Sequence, residues 1–265
     1  MITIVAERIN MTRKSIREKV WERDAAFVTE EVKAQEAAGA THIDINAGGD
    51  PSKEVEDMAW LTQTVSAATS LPLSFDSANP AALEAGLRLC NRLGTIVNST
   101  TLERERLAVT LPLVKRYNTG IIVLTMDDSG MPDNYDGRVA LIDEAAALME
   151  REEIALERIY IDPLIRPVST NPDQIPHIIR AVRYISETYP AAHTMVGLSN
   201  VSFGIPKRIH VNRAFFVMLL EAGLDGAIID PCADGMMGIM YGTRALLGAD
   251  EFCMEYITAH GEGKL

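Results

Sequence analysis

Carboxylates and carboxamides recur along this chain in one setting, at the end of a short apolar run. They are Glu7 and Asn10, Asp44 and Asn46, Asp76 with Ser77, Asn98 with Ser99, Asp127, Asp162, Ser199 with Asn200, and Asp230. An ionised carboxylate only accepts hydrogen bonds, whereas a carboxamide both donates and accepts. Together they suit recognition of a neutral, donor-rich molecule, and the scarcity of cations among them disfavours a phosphate site. The sharpest instance is Val196–Gly204, where the apolar run Thr194–Leu198 breaks into Ser199-Asn200-Val201-Ser202-Phe203-Gly204. Alone, such a break reads as a strand end followed by a Ser/Asn turn.

The elements that must position these residues follow from periodicity. Eight segments rich in β-branched and apolar residues read as strands: Thr3–Arg8, Thr41–Asn46, Leu71–Ser77, Gly94–Thr100, Gly120–Met126, Arg158–Leu164, Thr194–Asn200 and Gly226–Pro231. Between them the period changes to that of helices. Ile16, Val20, Phe27 and Val32 lead to Gly39; Val55, Met58, Ala59, Thr62 and Val65 form a second stripe; Ile175, Ile178, Ile179, Val182 and Ile185 form a third. Eight alternations of buried strand and amphipathic helix predict a closed (β/α)8 TIM barrel, a single domain over residues 1–265. The competitor, a doubly wound open sheet, lacks its G-x-G-x-x-G after the first strand, where Glu7-Arg8-Ile9-Asn10 stands instead. The polar stretch Asp127–Gly137 reads as a solvated loop over the barrel mouth, with a lid or partner contact as the other reading. Met236, Met237 and Met240, assigned to the last helix, read as core filler.

Composition narrows the function. A formal net charge of −12 argues against nucleic acid as a partner, since that task needs a concentrated positive surface. No apolar run approaches a membrane span, and Met1–Glu7 starts like a strand rather than a signal peptide, so a soluble cytoplasmic protein is expected. Cys90, Cys232 and Cys253 form no C-x-x-C pair and are expected to be reduced and mostly buried. The five histidines never fall at i, i+4 spacing, and His260 sits in a Gly-rich tail expected to fray. A protein-bound metal is not indicated.

In a barrel the C-terminal strand ends form one rim, so the polar residues converge there. Capping of the following helix is the favoured reading for Ser77, Ser99 and Thr100. The remaining set suits a 2-amino-4-oxo pterin, whose ring N–H and amine match a carboxylate and whose other ring atoms match a carboxamide. Unpaired buried donors cost roughly 1–3 kcal/mol each, which supplies selectivity.

These pieces resemble the pterin-binding barrel methyltransferases: methyltetrahydrofolate:corrinoid/iron–sulfur protein methyltransferase, its relatives in anaerobic demethylation, and the folate domain of cobalamin-dependent methionine synthase. The resemblance runs through Glu7-Arg8-Ile9-Asn10, Asp44-Ile45-Asn46, Asp76-Ser77, Asn98-Ser99-Thr100, Asp162-Pro163-Leu164, Gly197–Ser202, Arg208 and Asn212-Arg213. It implies that Asp76, Asn98 and Asp162 bind the pterin and that Asn200 lies near its N5. Gly197, Ser199, Glu7, Asn46 and Arg208 are implied as supporting members, and Asn200, Asp76 and Asp162 as the catalytic set. Methyl transfer between N5 of tetrahydrofolate and the cobalt of a corrinoid (cobalamin) is the implied reaction, in either direction. No cobalt-ligating Asp-x-His-x-x-Gly motif is present, so the corrinoid is expected on a separate partner protein. Phe203 matches methionine synthase rather than the polar residue of some corrinoid/iron–sulfur enzymes, which leaves the identity of that partner open. A homodimer is a family expectation, and Lys207, Arg208 or Arg166 are candidates to offset the anionic folate tail. Two alternatives stand beside this reading. One is a dihydropteroate synthase-like enzyme, which needs clustered cations for a pyrophosphate; the other is a non-catalytic folate-binding subunit.

Overall fold

The computed structural model describes residues 2–90 and 92–265; Met1, placed at the head of the first strand by the sequence reading, lies outside them. The elements run β1 (Thr3–Asn10), α1 (Lys14–Trp21), α2 (Ala25–Ala37), β2 (His42–Asn46), α3 (Glu54–Ala68), β3 (Leu73–Asp76), α4 (Pro80–Leu89), β4 (Ile96–Thr100) and α5 (Arg104–Tyr117). They continue with β5 (Gly120–Leu124), α6 (Tyr135–Arg151), β6 (Ile159–Asp162), α7 (Ile175–Thr188), β7 (His193–Thr194), α8 (Arg208–Glu221), β8 (Gly226–Ile229), α9 (Met236–Leu246) and α10 (Met254–Gly261). All strand pairs are parallel, in the order β7-β6-β5-β4-β3-β2-β1-β8. The ring is the expected (β/α)8 barrel, nearly closed.

Its seam lies between β7 and β8, and there the expected seventh strand is corrected. Only His193 and Thr194 form a regular ladder; beyond them the chain keeps a Gly197–Ile228 bridge and a 2.8 Å bond from Ile228 N–H to the Val196 carbonyl. Leu198–Ser202 then winds into a 3-10 turn instead of extending the strand. Close approach at this seam requires glycine at 226, where a Cβ would sit 2.5 Å from the Thr194 carbonyl oxygen.

Side chains alternate across each strand, so residues two apart share a face. Val5, Ile96, Ile122 and Met195 fill the barrel interior, packed by Leu124, Tyr160 and Ile228. Two residues further along the same faces come Glu7, Asn98 and Asp162. The lumen is thus apolar below and polar at the C-terminal mouth, which confines a ligand to the mouth. Outside the ring, apolar helix faces seal against the strands: α3 buries Met58, Leu61, Thr62 and Val65, and α7 buries Ile178, Ala181, Val182 and Ile185. Val55, expected in the α3 stripe, points to solvent.

Several local expectations are also revised. The first helical stretch breaks in two at Arg23 (φ 55°), after which Asp24 caps α2 by accepting from Phe27 N–H at 3.1 Å. Ser77, Ser99 and Thr100 are not the helix caps: Asn79 caps α4, and α5 starts at Glu103 without a side-chain cap. Ser77 instead accepts from Asn79 N–H and donates to Glu54. The loop after β5 is shorter than expected, because Asn134 caps α6 by accepting from Gly137 N–H. It is pinned by Arg166, which pairs with Asp133 at 2.6 Å and donates to the Met131 carbonyl at 3.0 Å. Met236, Met237 and Met240 are buried as expected, but in α9, with α10 beyond. His260 belongs to α10 rather than to a frayed tail, and of the cysteines only Cys90 is buried. Among the described residues no helix is long and apolar enough to cross a membrane.

Candidate active site at the barrel mouth

Strand register sets the first group. Asn46 pairs with Asp76 and Asp76 with Asn98 in the β2–β3–β4 ladders, so three polar side chains stand in one layer. Asn46 Nδ2 donates to Asp76 Oδ2 at 2.7 Å. One layer deeper, Asp44 accepts from Asn98 Nδ2 at 3.2 Å. Asp44 is a site residue whose role the sequence reading left unassigned. Its signal was present, since it precedes Asn46 by two and therefore shares its face. Burial and the facing Asp76 carboxylate push Asp44 well above the usual carboxylate range. Burial also raises Asp76, partly offset by the Asn46 hydrogen bond.

Asp162, at the end of β6, is 6% exposed, and burial lifts its pKa to about 7. The N–H groups of Leu164 (2.7 Å) and Gly197 pull it back toward ionisation. Gly197 therefore ties the β7 segment to Asp162. The 3-10 turn that follows carries Ser199, whose hydroxyl donates to Glu7 Oε1 at 2.8 Å. Glu7 too is raised by burial, an effect the Ser199 bond opposes. Arg208, at the start of α8, holds the turn from behind: it donates to the Ser199 carbonyl and, at 3.0 Å, to Ser202 Oγ.

Asn200 differs from the rest. Its side chain is exposed and makes no hydrogen bond among the described residues; its Nδ2 rests over Gly197, 3.0 Å from where a Cβ would be. The amide is free to meet a ligand. All nine sequence-derived site residues, Glu7, Asn46, Asp76, Asn98, Asp162, Gly197, Ser199, Asn200 and Arg208, thus gather at the C-terminal ends of the strands.

A cavity of about 380 Å³ opens at this end, lined by Glu7, Asn10, Arg13, Ser199, Arg208, Asn212 and Asp230. Arg13 adds a cation to the mouth that the sequence reading missed because it falls beyond β1, and the lining still holds few. Arg166 is spent on the loop after β5 and Arg208 on the turn, whereas Arg13 has no carboxylate within ion-pair distance among the described residues. A larger apolar cavity of about 540 Å³, lined by Ile2, Ile4, Leu71 and Met240 among others, lies at the opposite end of the barrel.

Buried carboxylates of raised pKa interleaved with carboxamides offer a ligand at this mouth both hydrogen-bond acceptors and donors. The chain belongs to the pterin-binding enzyme family, whose model matches residues 6–230. It is 34% identical to methylcorrinoid:tetrahydrofolate methyltransferase of Eubacterium limosum, over 99% of this chain and 97% of that protein. It is 28% identical to methionine synthase of Mycobacterium tuberculosis over 86% of this chain but only 20% of that much longer protein. In fold it resembles dihydropteroate synthase of Xanthomonas albilineans in complex with 7,8-dihydropteroate, with a TM-score of 0.64 and 18% identity, covering 93% of this chain and 92% of that one. The Yersinia pestis dihydropteroate synthase superposes with a TM-score of 0.62 at 17% identity, covering 83% and 88%.

Proposed function

We propose that this protein is a methyltransferase moving a methyl group between a corrinoid cobalt on a partner protein and N5 of tetrahydrofolate. The observation that carries the reading is the 34% identity to methylcorrinoid:tetrahydrofolate methyltransferase across nearly the whole of both chains. That relative's name favours transfer onto tetrahydrofolate as the working direction.

In this reading Asp76, Asn98 and Asp162 bind the pterin, and Asn46 and Asp44 hold Asp76 and Asn98 in place. The ring's amine and N–H donate to carboxylates, which favours their ionised forms and compensates their burial. Glu7, Ser199 and Arg208 fix the turn that presents Asn200 to N5. Forming the new N–CH3 bond makes N5 give up its proton; in reverse, the poor leaving amine must gain one. Asn200 supplies a hydrogen bond that strengthens as charge develops on N5, and such a bond lowers the barrier because it is stronger in the transition state. Asn200 is no acid, so the proton travels through water to the carboxylate network.

The resemblance further supports a homodimer working in the cytoplasm within anaerobic one-carbon metabolism. The dihydropteroate synthase reaction is less well served, since of the two cations lining the mouth cavity, Arg13 and Arg208, the latter is occupied by the turn. One comparison separates the possibilities. Tetrahydrofolate supplied with a methylated corrinoid protein is expected to give methyltetrahydrofolate, and a pterin pyrophosphate supplied with p-aminobenzoate is expected to give no product. The converse pattern would overturn the reading, and folate binding with neither product would indicate a binding subunit.

A further inference from the structure

The reaction proposed above brings a corrinoid into the barrel mouth, so the protein that carries it must sit on the rim. This chain has a net charge of −12, yet between Arg8 and Arg23 it holds six cations against two carboxylates. The structure sorts those cations. Arg8 pairs with Glu31, Lys19 with Glu22 and Asp24, and Arg23 with Glu56 and Asp57, all within the protein. Arg13, Arg17 and, from the neighbouring β2–α3 loop, Lys53 have no carboxylate within ion-pair distance among the described residues. Lys14 is 79% exposed and meets only Glu18, at 3.6 Å.

These unspent cations form one edge that begins inside the mouth. Arg13 lines the mouth cavity, and Lys14 opens α1 as the next residue. Arg17 lies across Gly49, where a Cβ would come within 3.1 Å of its Cδ, so a glycine there lets α1 seat against the β2–α3 loop. Beyond it stands the indole of Trp21, 44% exposed, with Arg17 5.7 Å and Lys53 5.2 Å from its ring centroid. Trp and Arg are among the residues that carry most binding energy at protein interfaces, and cations over an exposed indole add to it. A basic edge on an otherwise acidic protein also orients an approaching acidic partner and raises its capture rate.

We propose that the edge formed by Lys14, Arg17, Trp21 and Lys53 docks an acidic face of the corrinoid-carrying protein and so aims its cobalt into the mouth. This rests on the methyl-transfer reading, and the test keeps the two apart by using two methyl donors: a methylated corrinoid protein and free methylcobalamin. The double variant Lys14→Glu/Lys53→Glu, and separately Trp21→Ala, are compared with wild type at low and raised salt. The expected result is a rise of about tenfold in KM for the corrinoid protein with kcat little changed, and an unaltered rate with free methylcobalamin. Wild-type KM for the carrier should also climb between about 50 and about 300 mM salt, as exposed charges are screened. An unchanged KM for the carrier overturns the docking edge, as does an equal loss with free methylcobalamin or a rise confined to KM for tetrahydrofolate. Wild-type protein that exchanges methyl with neither donor overturns the methyl-transfer reading itself.

Discussion

Replacing Asp162 by Asn should stabilise the ligand-free protein at neutral and alkaline pH while destroying its affinity for folate. Asp162 is 6% exposed, and burial raises its pKa from 3.8 to about 7. The sign follows from proton binding. Between these two values the folded state holds a proton that the unfolded state has released, so stability falls as pH rises through that window and then levels off. A shift of about three units, at roughly 1.4 kcal/mol each, makes the loss about 4 kcal/mol above pH 7. An Asn keeps an oxygen for the Leu164 and Gly197 N–H groups but adds an amide NH2 that must find a partner, so a net gain of about 2–4 kcal/mol is expected. Urea unfolding of both proteins from pH 4 to pH 9 reads it directly. The gap should be small at pH 4, widen toward pH 7 and stay constant beyond. A gap independent of pH, or a less stable variant at pH 8, would refute the account of Asp162 as a carboxylate held at a cost for its ligand.

Other outcomes follow from the same geometry. A ligand that donates N–H to Asp162 favours its ionised form, so tetrahydrofolate affinity should rise as pH climbs through about 7 and level above it, with proton release measurable by calorimetry in buffers of different ionisation enthalpy; affinity falling over that range would contradict the assignment. Asn200→Ala should lower turnover by about 10²–10³ while changing folate binding little, as for other single oriented donors, and an unchanged rate would remove Asn200 from the mechanism. Gly197→Ala keeps an accessible backbone (φ −78°) but places a Cβ 3.0 Å from Asn200 Nδ2. It should therefore reduce kcat by about tenfold with KM for folate nearly intact, since in the proposed mechanism the displaced amide acts at N5 rather than in ground-state binding; equal effects on both would argue that the turn had collapsed.

The barrel was legible because its signal is repetitive: eight apolar strands, each followed by a helical stripe, leave few ways to bury both. The mouth was legible for a related reason. A two-residue step along one face takes Val5 to Glu7, Ile96 to Asn98 and Tyr160 to Asp162, so the change from apolar filler to polar mouth is written in the strands themselves. What escaped depends on three-dimensional contact. The seventh strand reads as apolar through Leu198, but its seam with β8 is set by Gly226 pressing on the Thr194 carbonyl, and the chain leaves the ladder early. Ser77 has the composition of a cap, yet Asn79 takes that place because it immediately precedes Pro80 at the helix start. Asp44 was visible as a strand-end carboxylate, but its bond to Asn98 and its proximity to Asp76 are cross-strand facts. Arg13 lies past the strand altogether and reaches the mouth only because the chain turns at Asn10, where Arg13 N–H bonds the Asn10 carbonyl.

The most direct test is a single-turnover experiment in which a methylated corrinoid protein is mixed with this protein and tetrahydrofolate, while the corrinoid spectrum and methyltetrahydrofolate are followed together. Loss of the methylcobalt signal in step with formation of one equivalent of methyltetrahydrofolate, reversed when methyltetrahydrofolate meets the reduced carrier and slowed by Asn200→Ala, is the predicted result. A methylcobalt spectrum that stays unchanged while tetrahydrofolate is bound would contradict the account.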